Sequence, residues 1–488
     1  MKLELILLEL AVLFTICLAT AALVMAWWAP SVSRALTGIL AVYFVLWYLL
    51  PVCLSIALWD QLTLHIVGET EFLRIATIEA GAFAVIVLCF PLWRAPSRIL
   101  QRCALYSFRA TPAIIFCAAV TAGLLTAYVH LSTDFGGSYL ERNAFAVTAA
   151  GTDAFNRSGS VSFLAELSMV VVYAALVTRQ EPRLPKWLTA LLVAVVAGWI
   201  YTRVAQGSRM AMFMPVILFI LHTVFNKWSR RRVWTTVLIV GPALVVTMGL
   251  VTIAVQITRA QESNALGGTG EIVDFALATP DAVSRLGIAM GNSLVFKLDS
   301  FSTGALLLQV NGPGDGGLEP YAGAVFAGVP RIIYPNKPVP GSRDGTYAGD
   351  PGRLVAVLLG MDQDSGNAGI GMGSIAIWQL GYGGLILLII ANALNLWVLN
   401  TLFLATSVLG RATAFMVIAA PSLAGLVATP DVILMNLQRL ILIIALFNFG
   451  VWVFDRRAWS RGTLGERLLK VSPRPTYSQP STATRSET

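Results

Sequence analysis

The chain has 488 residues, of which 57% are hydrophobic and only 12% charged, and its formal net charge is +8, whereas a soluble domain carries roughly a quarter charged residues. That balance excludes an ordinary soluble enzyme and describes a polytopic, all-α integral membrane protein. The basic excess does not call for nucleic acid, because the arginines cluster in short loops beside apolar runs, where they act as an orientation signal.

In chain order, the apolar run 5–28 is longer than a signal-peptide core and long enough to cross a bilayer. A retained first span is expected, with Ala19-Thr20-Ala21 keeping a cleaved signal as the alternative. Spans follow over 36–58 and 75–93, and after them Arg94, Arg98, Arg102 and Arg109 form a loop without an acidic residue, cytoplasmic by the positive-inside rule. The span 112–131 then leads outward to a Gly- and Ser-rich loop of mixed charge, 132–160, and the span 161–177 returns to Arg179, Arg183 and Lys186. Spans over 187–201 and 210–225 enclose a tight outer turn with Arg203 and Arg209. Lys227 and Arg230 to Arg232 give the next cytoplasmic signal, so the span 233–257 delivers the long polar interval 258–370 to the outside. Within it, 267–270 and 311–317 read as flexible linkers, Thr279-Pro280-Asp281 as an N-cap with Pro at the first helical position, and 292–310 as helix. The last spans are expected over 373–396, 411–427 and 432–454, followed by Arg456, Arg457, Arg461, Arg467 and Lys470 inside and a disordered tail from Ser472. These about eleven spans, with an inside C-terminus, put the N-terminus outside. The chain divides into a transmembrane bundle (1–257), an outer loop (258–370), C-terminal spans (371–455) and a basic cytoplasmic tail (456–488). Cys17, Cys53, Cys89, Cys103 and Cys117 show neither disulfide nor C-x-x-C metal spacing.

The outer interval is where chemistry on a hydrophilic substrate is expected. Pro330 and Pro335 bracket Arg331 to Tyr334, and Pro338 and Pro340 follow, so φ is set repeatedly and the segment is stiff. It holds Arg331 and Lys337, a planar guanidinium and a point charge, which suit a phosphate-bearing group; they suit snorkelling to lipid head groups equally well. The outer carboxylates weighed as bases are Glu319, Asp344, Asp350, Asp362 and Asp364. Asp344 and Asp350, flanking Arg343 and Tyr347, are the candidate bases, with solvated loop residues as the alternative. Tyr334 and Arg343 are expected beside the substrate. Glu79 and Glu166 read as lying close to the outer ends of their spans, where water can solvate them, so that mid-membrane positions are nearly free of ionisable groups. His130, at the outer end of its span, is an interfacial residue or an aid to proton transfer. Gly373 and residues 381–384 read as close helix packing. There is no H-E-x-x-H and no outer His cluster, and neither metal nor cofactor is expected.

Gly207-Ser208-Arg209 opening a span, a long outer loop, Pro330-Arg331 followed by Pro335-Asn336-Lys337-Pro338, and a Gly-rich re-entry ending Leu380-Gly-Tyr-Gly-Gly384 together resemble the Wzy-type oligosaccharide repeat-unit polymerases of O-antigen and exopolysaccharide. The resemblance runs from about Tyr201 to Gly384. It departs at Ile375, where the family often has a Glu, so no role of that Glu is carried over. The resemblance implies a GT-C-like, metal-independent glycosyltransferase of a bacterial inner membrane, joining polyprenyl-diphosphate-linked repeat units on the periplasmic face, with a chain-length regulator and a flippase as partners alongside membrane lipids. Arg209 and Arg331, with Lys337 beside them, would hold the lipid diphosphate; Arg203 is added by position alone. An O-antigen ligase, a lipid-linked oligosaccharide transporter and a non-catalytic scaffold are the rivals, and a transporter would favour broken helices and mid-membrane charge.

Overall fold

In the computed structural model of the protein, the residues described are 2–53, 67–89, 97–103, 112–131, 168–178, 184–205, 235, 300–327, 329, 334, 338–339, 341–343, 349–358, 369–404 and 427–454. All regular structure among them is helical. Four of the described helices are long and apolar enough to cross a membrane, Leu3–Trp28, Arg34–Cys53, Glu69–Cys89 and Gly383–Phe403, and the chain is a helical membrane protein. Apart from Thr235 and Val427, the spans expected over 210–225, 233–257 and 411–427 lie outside the described residues, as do the interval 258–299 and the tail after Phe454.

Numbered in chain order, the helices are α1 (Lys2–Trp28), α2 (Arg34–Phe44), α3 (Glu69–Cys89), α4 (Arg98–Gln101), α5 (Pro112–Leu131), α6 (Ser168–Val177), α7 (Lys186–Ala205), α8 (Ser300–Asn311), α9 (Glu319–Val325), α10 (Pro351–Leu358), α11 (Met372–Leu380), α12 (Gly383–Phe403) and α13 (Pro430–Phe454). Helix α1 is apolar on every side and leaves Leu7, Leu10, Phe14 and Trp28 exposed, as a lipid-facing helix does. Its buried side is mostly small, Val12, Ala19, Ala22 and Ala26. Small residues let helix backbones approach where lipid offers no hydrophobic drive between them, and α1 packs on α3. Thr15 meets Gly81 there.

Helix α3 is the hub. It packs against α1, α8, α11, α12 and a π-helical turn, Val45–Leu49, that continues α2. Such turns are local insertions in a helix; this one lies beside a ring cluster in which Tyr43, Phe44 and Tyr48 face Phe83 of α3 at centroid distances of 6.2, 5.2 and 5.0 Å. Phe301 of α8 joins through Tyr48 at 6.3 Å and Phe72 at 5.7 Å. The outer segment is thereby tied into the transmembrane core through its first helix.

Two expectations need correction. Helix α3 starts at Glu69, before the apolar run, because Glu71 and Arg74 continue the helix with an ion pair of 2.9 Å across one turn. Glu79 therefore sits at the middle of the span. The expected single span 373–396 is two helices. α11 ends at Leu380, Gly381 takes φ +63° and ψ −160°, and α12 restarts so close behind that a Cβ on Gly384 would overlap the Ala376 carbonyl. The close packing expected of Gly384 is found.

Polar residues in α12 clamp the loops around it. Asn392 donates to the carbonyls of Leu388 and Ala428, both at 2.8 Å, and accepts from Ala428 N–H at 2.9 Å. Asn400 accepts from Ser33 N–H and donates to the Ser31 carbonyl, both at 2.9 Å. Each amide is buried and satisfied.

Candidate functional site

The described residues of 300–358 are built onto the two ends of α11. At the C-terminal end, the last carbonyls of any helix lack intrahelical partners. The glycine-rich turn after α8 reaches this end: Gly316 N–H donates to Trp378 O at 2.9 Å, and Gly314 N–H adds a bond of 2.9 Å to Ile377 O, which also accepts from Gly381 N–H at 2.7 Å. Gly316 has to be glycine, because a Cβ there would stand 2.8 Å from the Trp378 ring. Residues 311–317, read from composition as a flexible linker, are a docked cap.

Asp315, at the tip of this turn, accepts from Arg343 Nη1 at 2.6 Å. The pair is about half exposed and worth less than about 1 kcal/mol, so its consequence is placement. Arg343 N–H donates to Gly349 O at 3.1 Å, Gly341 N–H to Pro320 O at 3.2 Å, and Ser342 Oγ to Val339 O at 2.9 Å. The downstream end of the proline segment is thus fixed to both the glycine turn and the start of α9. Upstream, Val329 N–H donates to Phe326 O at 3.0 Å, and the Tyr334 ring meets the Phe326 ring edge-on at 5.2 Å. Both flanks of Arg331 return to Phe326.

Of the residues expected at the site, Tyr334, Arg343 and Asp350 are described, and Arg343 and Asp350 fall in one loop. Asp350 Oδ1 accepts from Gly352 N–H at 2.9 Å and Arg353 N–H at 3.3 Å, an N-cap on α10 with Pro351 at its first position. One of its oxygens is thereby committed to structure. Arg203 lies in the last turn of α7. Arg209, Arg331, Lys337 and Asp344 lie outside the described residues, as do Glu166, Asp362 and Asp364. Asp362-Gln363-Asp364 is an acidic pair two positions apart. It has the D-x-D spacing of carboxylate pairs that can help bind a divalent cation, which qualifies the expectation of metal-free chemistry.

Two buried carboxylates carry more structure than the sequence indicated. Glu79 is 1% exposed, not solvated at a span end. Its carboxylate accepts from Gly373 N–H at 3.0 Å, Ser374 N–H at 2.8 Å and Ser374 Oγ at 3.0 Å. It caps α11 from another helix, in place of the side chain that N-cap Gly371 lacks. The fit demands small neighbours, since a Cβ on Gly371 would overlap Glu79 Oε1, and one on Gly304 would overlap Ser374 Oγ. Gly373 passes against the same carboxylate, as its expected packing role requires.

The second carboxylate, Asp431, lies in the first turn of α13, is 4% exposed, and accepts from Gln379 Nε2 at 3.4 Å. Tyr321 of α9 lies close enough that the Asp431 charge, after burial, pushes its hydroxyl well above the usual range. A sequence signal was present: Thr429-Pro430-Asp431 repeats the N-cap, Pro and Asp pattern of Thr279-Pro280-Asp281. The structure starts α13 at Pro430 accordingly.

No protein-family model matches the chain, and neither a curated protein nor a solved structure is significantly similar to it.

Proposed function

We propose that the chain is a bacterial inner-membrane glycosyltransferase of about eleven spans and GT-C-like architecture that joins polyprenyl-diphosphate-linked repeat units into a surface or secreted polysaccharide on the periplasmic face. The observation that carries this proposal is the anchoring of the described residues on either side of Arg331 and Lys337. Val329 and Tyr334 return to Phe326, Gly341 to Pro320 and Arg343 to Asp315. A sugar on a polyprenyl diphosphate is already activated, and what the breaking C1–O bond requires is positive charge already in place where negative charge grows. A floppy tether would spend that advantage on reorganisation.

Purified protein given synthetic polyprenyl-diphosphate repeat units should form longer lipid-linked products, and replacing the lipid diphosphate by a free reducing end should stop the reaction. Elongation that persists in EDTA supports metal-independent transfer; elongation lost in EDTA and restored by Mg²⁺ shows that a divalent cation is required, and loss of that Mg²⁺ rescue in Asp362→Asn or Asp364→Asn would connect it to these residues.

A second reading, lipid-linked oligosaccharide transport, is favoured by two observations: the α11–α12 break at Gly381 and the mid-span carboxylate Glu79. Movement of the same lipid across sealed vesicles, without elongation of the cognate unit, would establish it.

Topology is tested independently. Leu318 is 70% exposed at the end of the glycine turn, and in a cysteine-free background Leu318→Cys should react with a membrane-impermeant thiol reagent in intact spheroplasts. Gly314 is the poorer probe, because its φ of +84° strains any side chain. Labelling only after lysis reverses the assigned orientation.

A further inference from the structure

Three helices bring polar side chains together where the proline segment ends. Tyr321 comes from α9, Gln379 from α11 and Asp431 from α13. Gln379 donates to Asp431 Oδ1 at 3.4 Å. Gly341 has φ +80°, and the position a Cβ would take there is 3.2 Å from Asp431 Oδ2. Its N–H reaches Pro320, next to Tyr321, at 3.2 Å. Gln379 and Asp431 are buried, at 1% and 4% exposure, Tyr321 is partly buried with its hydroxyl inside, and the group is incompletely satisfied: Gln379 Oε1 and the Tyr321 hydroxyl have no hydrogen-bond partner.

Buried polar atoms are rarely left in that state, and each such atom requires an explanation. If the cluster served only to start α13, the Gln379 to Asp431 contact would suffice, and a phenylalanine at 321 would serve better than a tyrosine. What remains unused is an acceptor on Gln379 and a donor and acceptor on Tyr321, beside an Asp431 carboxylate that also meets the Thr429 side chain and the first backbone N–H groups of α13. Those are the complements of vicinal sugar hydroxyls, and they stand at the end of the segment assigned above to the diphosphate.

We propose that Tyr321, Gln379 and Asp431 form the subsite for the acceptor sugar, with Asp431 as the general base. This rests on the glycosyl-transfer function proposed above. The acceptor hydroxyl oxygen attacks C1 of the donor sugar while its proton passes to the Asp431 carboxylate. The new C1–O bond forms as the C1–O bond to the diphosphate breaks, and the electron pair leaves with polyprenyl diphosphate. The carboxylic acid then returns its proton to water. Tyr321 and Gln379 hold neighbouring hydroxyls and so orient the attacking one.

The test uses the purified full chain, synthetic polyprenyl-diphosphate repeat units for elongation, and polyprenyl diphosphate alone as the binding probe. Tyr321→Phe removes a hydroxyl that no protein group uses, so a purely structural tyrosine would leave thermal stability and rate unchanged or improved. We expect its kcat/KM for elongation to fall about tenfold, with stability and affinity for polyprenyl diphosphate unchanged. Asp431→Asn should lose 10²–10⁴-fold in kcat, roughly the contribution of a general base, and lose the acid limb of the pH profile. Asp431→Glu should recover part of the rate. If the wild type elongates and Tyr321→Phe stays within twofold of it, the subsite is refuted, whether or not Asp431→Asn accumulates. If the wild type does not elongate, the glycosyl-transfer function itself fails, and the subsite with it.

Discussion

Glu79→Ala is expected to destabilise the protein by about 3 kcal/mol, because it strips the cap from α11 and leaves three donors without a partner inside the helical core. Those donors are Gly373 N–H, Ser374 N–H and Ser374 Oγ. Each buried orphan costs about 1–3 kcal/mol, partly offset by no longer desolvating a carboxylate. Gly371 has no side chain to substitute as a cap, and water cannot reach N–H groups inside the bilayer. Among the described residues the carboxylate has no cationic hydrogen-bond partner, so the loss is that of a cap and not of an ion pair. Glu79→Gln should retain about half the stability, since its Oε1 still accepts while its amide NH₂ faces other donors. Thermal unfolding in detergent, read by size-exclusion fluorescence, checks both. An alanine variant that accumulates and melts like the wild type would show that α11 needs no cap from α3.

Apolar runs were legible where periodicity and length decide the structure. The run 112–131 is helix α5 to the residue, and 5–28 is α1 with a few polar residues added at its start. Hydropathy failed where helices continue through charge. Glu69, Glu71 and Arg74 read as loop, and that error alone moved Glu79 from the middle of a span to its end. It failed again where an apolar stretch breaks, since a window averages over Gly381 and Gly384 as if they were ordinary helix residues. The asparagines of α12 have partners in loops far away in sequence, Ser31, Ser33 and Ala428. No local pattern announces such partners.

The mechanics of the candidate site were not legible in the sequence. Proline spacing marked a stiff segment, but not what holds it. Composition made 311–317 a linker, whereas its N–H groups are spoken for by α11. Asp350 stood out because it follows Arg343, yet the Asp-Pro sequence that makes it conspicuous is the signature of a helix start. Asp431 went unweighed because it opens an apolar span, where a lone acid looks like the edge of a loop. Only the packing of α9, α11 and α13 brings it to the end of the proline segment.

Arg331→Ala is expected to abolish polymer while the protein still accumulates in the membrane. A leaving diphosphate gathers negative charge as C1–O breaks, and removing one preorganised donor from such a site costs about 10²–10³-fold in kcat. The loss should fall on elongation and not on folding. The anchors of the segment, Val329 to Phe326, Tyr334 on the Phe326 ring, Gly341 to Pro320 and Arg343 to Asp315, do not involve the Arg331 side chain. Arg331→Lys should recover little, since an ammonium places charge without the two parallel N–H bonds of a guanidinium. If Arg331 instead snorkels to lipid head groups, lysine should replace it fully, because snorkelling needs only a long stem and a positive end. The two substitutions therefore divide the roles open to this residue. Polymer length in cells, normalised to membrane-fraction protein, reads the outcome, and elongation of synthetic lipid-linked units by the purified variants confirms it. Full activity of Arg331→Ala removes this residue from the diphosphate site. Loss of the protein together with the polymer makes Arg331 a folding residue and leaves Lys337 and Arg209 as the cations to test next.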